Sequence, residues 1–135
     1  MKILTIDKHA GYIGLDKYYV RSIAYKDDYI DASCFKCIVL LNELGYNTKY
    51  SCSGLHKDHI TEKSDVGGYI AFPQYRKVLH NLFSDLGWEI ERDWMIYKNP
   101  LTVRTGHKKR KSQYKTNKMW RDLEEELKRL KNERI

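Results

Sequence analysis

The chain has 135 residues, 41% of them hydrophobic and only two of them proline, which suits one folded domain and excludes a disordered polymer. Its 25 lysines and arginines outnumber 18 acidic residues, for a net charge of +7, and no apolar run reaches membrane-spanning length. Three cysteines suit a reducing compartment better than a disulfide framework, and MKILTIDKH lacks the apolar core and cleavage site of a secretory leader, so the sequence reads as cytoplasmic.

In chain order, KILTI and YYVRSIAY are short aromatic and β-branched runs that predict strands or hairpins. Cys34, Cys37, Ile38, Leu41 and Leu44 recur at helical spacing, with Ser33 or Asp31 placed to cap the helix and Gly45 to end it. YNTKYSC and GGYIAF read as strands. Pro73 then opens a second helix with Tyr75, Val78, Leu79, Leu82 and Phe83 on one face, closed by Gly87. WEIER and WMIYK predict two strands joined tightly around Asp93. LNELGYNTK at 41–49 and FSDLGWEIE at 83–91 share one pattern: helix end, Leu-Gly, aromatic, strand.

Two helix–strand–strand units predict an α+β fold, a two-layer sandwich with helices on one face of a mainly antiparallel sheet, over residues 1–100. Residues 101–135 read as a basic segment followed by a C-terminal amphipathic helix from about Lys118 to Glu133. Arg104, Lys108, Lys109, Arg110, Lys111, Lys115 and Lys118 equal the whole positive excess, with no acidic residue among them, which is the footprint of a phosphate-bearing partner. Tyr114 and Trp120 stand nearby for stacking. In the helix, Trp120, Leu123, Leu127 and Leu130 form a narrow stripe, and Glu124/Lys128 and Glu125/Arg129 are i,i+4 pairs. The stripe docks on the domain or, as a homo-oligomer, on a second copy of itself.

YSCSGLHKDH, residues 50–59, concentrates the chemistry and admits three readings. Cys34, Cys37, Cys52 and His56 have the donor types of a zinc site, but the first two lie on the apolar face of a helix, where cysteine packs as a small hydrophobe. Cys52 beside His56 could instead be a nucleophile with its base. The third reading is a ligand loop: the hydroxyls and backbone amides of Ser51, Cys52, Ser53 and Gly54 hold a phosphate or nucleoside, and Gly67 and Gly68 clear the same rim. A plain glycine turn between strands would look much the same.

The stretch from Asp31 through SCSG to GGYIAF resembles the wybutosine-synthesis methyltransferases of the TYW3 type, over about forty residues. Asp31, Ser51, Cys52, Ser53, Gly54 and Gly68 are the matching positions. The resemblance implies a ligand-binding loop at the motif, with S-adenosylmethionine as cofactor and tRNA as substrate where methyl transfer is retained. The motif also looks like that of small proteins of bacteria and their phages. Here Leu55 separates the motif glycine from His56, where the family has a basic residue directly.

The expectation is a nucleotide- or RNA-binding protein, with Asp31, Ser51, Cys52, Ser53, Gly54, His56 and Gly68 at the ligand. Arg104, Lys108, Lys109, Arg110, Lys111, Lys115 and Tyr114 would lie on phosphate and base. No feature demands catalysis. The alternatives are a phage-type inhibitor of a host defence protein or a nucleotide sponge, acting in the host cytoplasm, and an RNA methyltransferase.

Overall fold

The computed structural model describes residues 4–7, 20–26, 28–55, 57–58, 67–92, 100–106 and 112–134. The fold is α+β with antiparallel strands and a C-terminal helix, and the strands are divided between two sheets. β1 (Leu4–Asp7), β2 (Val20–Tyr25) and β3 (Asp28–Asp31) form a meander. β4 (Tyr50–Cys52), β5 (Tyr69–Phe72), β6 (Glu89–Glu91) and β7 (Leu101–Arg104) form the second sheet, in the order β4-β5-β7-β6. α1 (Phe35–Glu43) and α2 (Lys77–Asp85) are joined by α3 (Ser112–Glu133), which packs along α1. β3 lies beside β4, so the two sheets meet at their edges.

Both short helices stop the same way, which accounts for the repeated Leu-Gly-aromatic pattern. Gly45 and Gly87 adopt φ +93° and +86°, a region that costs a side-chain-bearing residue. The following aromatic amides reach back five residues, Tyr46 N to Leu41 O and Trp88 N to Phe83 O, each at 2.9 Å. This is the Schellman stop, repeated for chemical reasons.

The helix starts differ from expectation. Neither Asp31 nor Ser33 caps α1; a 3-10 turn, Ala32–Cys34, precedes it, and the Asp31 carboxylate is used elsewhere. α2 begins at Lys77 rather than Pro73, because Arg76 is still extended, with φ −135° and ψ 129°. Val78 consequently turns outward and is 50% exposed. α3 begins at Ser112, six residues before the predicted start.

Leu101–Arg104, read above as the start of the basic segment, is an inner strand. Leu101 and Val103 are fully buried opposite Phe72 and Ile70. Alternating apolar and β-branched residues outweigh the adjacent charges there. The hairpin expected around Asp93 lies outside the described residues; among them, β6 pairs with β7. The core runs from Ile38 and Leu41 on α1 through Ile70, Phe72 and Val103 to Trp120, Leu123 and Leu127 on α3. Thus the C-terminal stripe is covered by the chain's own α1. Among the described residues no helix is long and apolar enough to cross a membrane.

Candidate functional site

The Ser53-Gly54 end of the SCSG motif is buried against protein. Asp31 Oδ2 accepts the Ser53 amide at 2.8 Å, and Ser53 Oγ accepts the Leu55 amide at 3.2 Å. α3 claims the loop carbonyls: Trp120 Nε1 donates to Ser53 O and Gln113 Nε2 to Gly54 O, both at 2.8 Å. Gly54 stands at φ +71°, and a Cβ there would lie 2.3 Å from Gly68 N. A Cβ on Gly68 would lie 2.5 Å from Ser53 O and 2.9 Å from the Trp120 ring. Close approach is indeed why the glycines are there, but the approaching groups are backbone and indole. Gly68 N also donates to Thr105 Oγ1 at 2.9 Å, which ties the rim to the end of β7.

The predicted site residues therefore separate. Asp31, Ser53, Gly54 and Gly68 form an internal clamp that seats α3. Ser51 and Cys52 remain half-buried on β4 and point to opposite faces of the strand. Ser51 opens on the cleft described next. His56 and Lys108–Lys111 lie outside the described residues. Arg104 is 7% exposed; its Nε donates to Glu91 Oε1 at 3.0 Å and its guanidinium lies 5.3 Å from the Tyr69 ring centre. It is a buried, paired residue, because β7 carries it into the sheet. Lys115 and Tyr114 are exposed on the first turn of α3, and Lys118 pairs with Asp122 at 2.8 Å.

The zinc donors are also accounted for in part. Cys34 Sγ donates to Asp31 O at 3.6 Å and Cys37 Sγ to Trp120 O at 3.4 Å, both fully buried. Burial pushes both thiols above their ordinary range, helped at Cys34 by Asp31 and at Cys37 by Glu124. They pack as small hydrophobes. Among the described residues, no group of three or more His, Cys, Asp and Glu is placed to hold a metal ion.

An open feature among the described residues is a cleft of about 530 Å³ where the β2–β3 hairpin, α1 and β4 meet. That volume lies in the usual range for small-ligand sites, roughly 300–1,000 Å³. Tyr25, Tyr29, Tyr50 and Tyr69 line it together with Lys26, Lys49, Asn42, Asn47, Thr48 and Ser51, and among the described residues no Asp or Glu does. Tyr29 and Tyr50 are 57% and 49% exposed. Lys26 sits over the Tyr25 ring at 5.3 Å and Lys49 over Tyr50 at 5.4 Å. Neither lysine has a carboxylate partner among the described residues, whereas Lys118, Lys128, Arg129 and Lys131 on α3 all do. Lys26 also occupies φ +56° in the hairpin turn, a strained position for a residue with a side chain.

The cleft wall is held rigid by bonds that leave the tyrosine rings and lysine ammonium groups unused. Asn42 Nδ2 donates to Ile38 O at 2.7 Å and to Thr48 Oγ1 at 3.1 Å, and Lys49 N donates to Ala71 O at 2.8 Å. Sequence reasoning missed these residues. The available signal was the pair of adjoining Tyr-Lys steps, Tyr25-Lys26 and Lys49-Tyr50, each at the end of a short strand.

Comparison with known protein families, with curated proteins and with solved structures gives no match for this chain.

Proposed function

We propose that this protein binds a nucleotide or an RNA segment in the Tyr/Lys cleft between the β2–β3 hairpin and β4. One observation carries the reading: four tyrosines and two lysines line one opening in which no described residue is a carboxylate. Aromatic faces stack bases, at roughly 1–3 kcal/mol per base, and ammonium groups take the phosphates that come with them. A simple anion without a ring, or a purely apolar ligand, would use only half of this lining. Lys115 and Tyr114, together with the Lys108–Lys111 run, would extend the electrostatic attraction without reading sequence. The SCSG loop serves this site indirectly, by fixing β4 and α3 relative to each other.

The test is equilibrium binding of fluorescent nucleotides and short RNAs. Tyr50→Ala and Lys49→Gln should each weaken binding by about tenfold, and Lys49→Gln should also lower its salt dependence. Lys26→Gly is expected to weaken binding while raising the melting temperature, because glycine relieves the left-handed backbone. Affinity unchanged in Tyr50→Ala would sink the proposal. The same assay separates the two alternatives. S-adenosylmethionine binding with a methylated RNA product would favour the methyltransferase, and tight binding of an intact nucleotide signal would favour the sponge.

A further inference from the structure

The cleft does not end at its own mouth. Asn47 lines it and also lines a second, smaller cavity of about 80 Å³, whose walls include Tyr46, Gln74 and Arg76. Here too none of the described wall residues is acidic. The Arg76 guanidinium lies 4.8 Å from the Tyr46 ring centre, and that of Arg134 lies 5.9 Å away. Arg134 Nη1 is tethered to Leu44 O at 2.9 Å. Neither arginine has a carboxylate partner among the described residues. The Asn47 side chain is exposed and makes no hydrogen bond among them.

The connecting backbone is rigid on both sides of Asn47. Tyr46 N is bonded to Leu41 O at 2.9 Å, and the Asn42 amide group pins Thr48. The strip from Tyr46 to Tyr50 therefore presents, in order, an aromatic–arginine pair, a free amide and a lysine–aromatic pair. The two cavities differ in what they admit. The larger has room for a nucleoside, and the smaller has room for a group of phosphate size. Guanidinium groups are suited to the latter, since their donors match phosphate oxygens in pairs.

We infer that the ligand is a single-stranded oligonucleotide rather than a mononucleotide: a nucleoside fills the Tyr/Lys cleft, Asn47 meets the linking sugar or base edge, and Arg76 with Arg134 takes the next backbone phosphate. This rests on the cleft being the binding site, and it names the ligand class that the site selects. Two phosphate-binding points joined by a pinned strip reward a ligand that spans both, because the second contact forms without further loss of freedom.

The experiment is fluorescence anisotropy with uridine monophosphate and with oligouridylates up to about eight nucleotides, alongside the matching deoxyuridylates. Affinity should rise by about tenfold or more between the mononucleotide and the dinucleotide or trinucleotide. An Arg76→Gln/Arg134→Gln variant, both positions exposed, should erase that gain and leave the mononucleotide unaffected. Tyr50→Ala should weaken every length. A gain in both sugar series means that the phosphate spacing is read; a gain in the ribose series alone adds the 2′-hydroxyl to the contacts. Equal affinity at all lengths, or a length gain that survives the arginine substitutions, overturns the inference while leaving the cleft intact. No loss on Tyr50→Ala removes the cleft, and with it this inference.

Discussion

Asp31 and Trp120 illustrate how a residue's work can differ from what its position in the sequence suggests. Asp31 looks like a helix cap, and Trp120 like a stacking platform beside basic residues. In the fold the carboxylate holds the Ser53 amide and the indole holds the Ser53 carbonyl. One peptide segment is thus gripped from both sides, by β3 and by α3. The cysteines are a second case. Burial raises the Cys34 and Cys37 thiols above their ordinary value of 9.0, so the folded chain keeps both protons where the unfolded chain releases them. Their contribution is full below pH 9 and is lost as pH rises beyond it. Urea unfolding of the native protein should therefore show stability falling above about pH 9, with a shallower fall in Cys37→Ala. Ellman's reagent should modify Cys52 first, and Cys34 and Cys37 only upon unfolding.

At the level of elements, α3 shows which sequence patterns carry energy. Its apolar stripe is buried, with Leu123 and Leu127 fully enclosed. Leu127→Ala should lower unfolding stability by about 3 kcal/mol, read from the urea midpoint. Its charges are another matter. Glu124–Lys128 is paired as expected at 2.8 Å, but Arg129 turns to Glu126 and Glu133 instead of Glu125. Arginine has several carboxylates within reach on an exposed helix face, so i,i+4 counting does not choose among them. Arg129→Ala should accordingly leave the urea midpoint unchanged within error. The contrast between the two variants tests whether packing, and not ion pairing, holds α3 in place.

For the whole molecule, the arrangement of charge matters more than its sum. Much of the visible charge on α3 is neutralised within the chain, while the cations around the cleft face aromatic rings and solvent. α1 covers much of the α3 stripe, with Leu123 and Leu127 fully buried, so that stripe is largely used within the chain. Light scattering behind size exclusion should return a monomer near 16.1 kDa; a dimer would mean that another face associates.

What the sequence determined by itself is local. Helical spacing located α1 and the apolar face of α3, and Gly45 and Gly87 marked the two helix ends, because a left-handed stop needs glycine wherever it occurs. The α+β class followed from the same short-range patterns. The inner position of Leu101–Arg104 was less legible, since four residues beside a charge run carry little periodicity. The cleft was not legible at all. Tyr25 and Tyr50 lie twenty-five positions apart and on different sheets, and they share one opening because β3 comes to rest beside β4. Nor could the sequence tell what comes close to Gly54 and Gly68, since a ligand and a neighbouring backbone demand the same missing Cβ. Only tertiary packing brings Gly68 and Trp120 onto the loop.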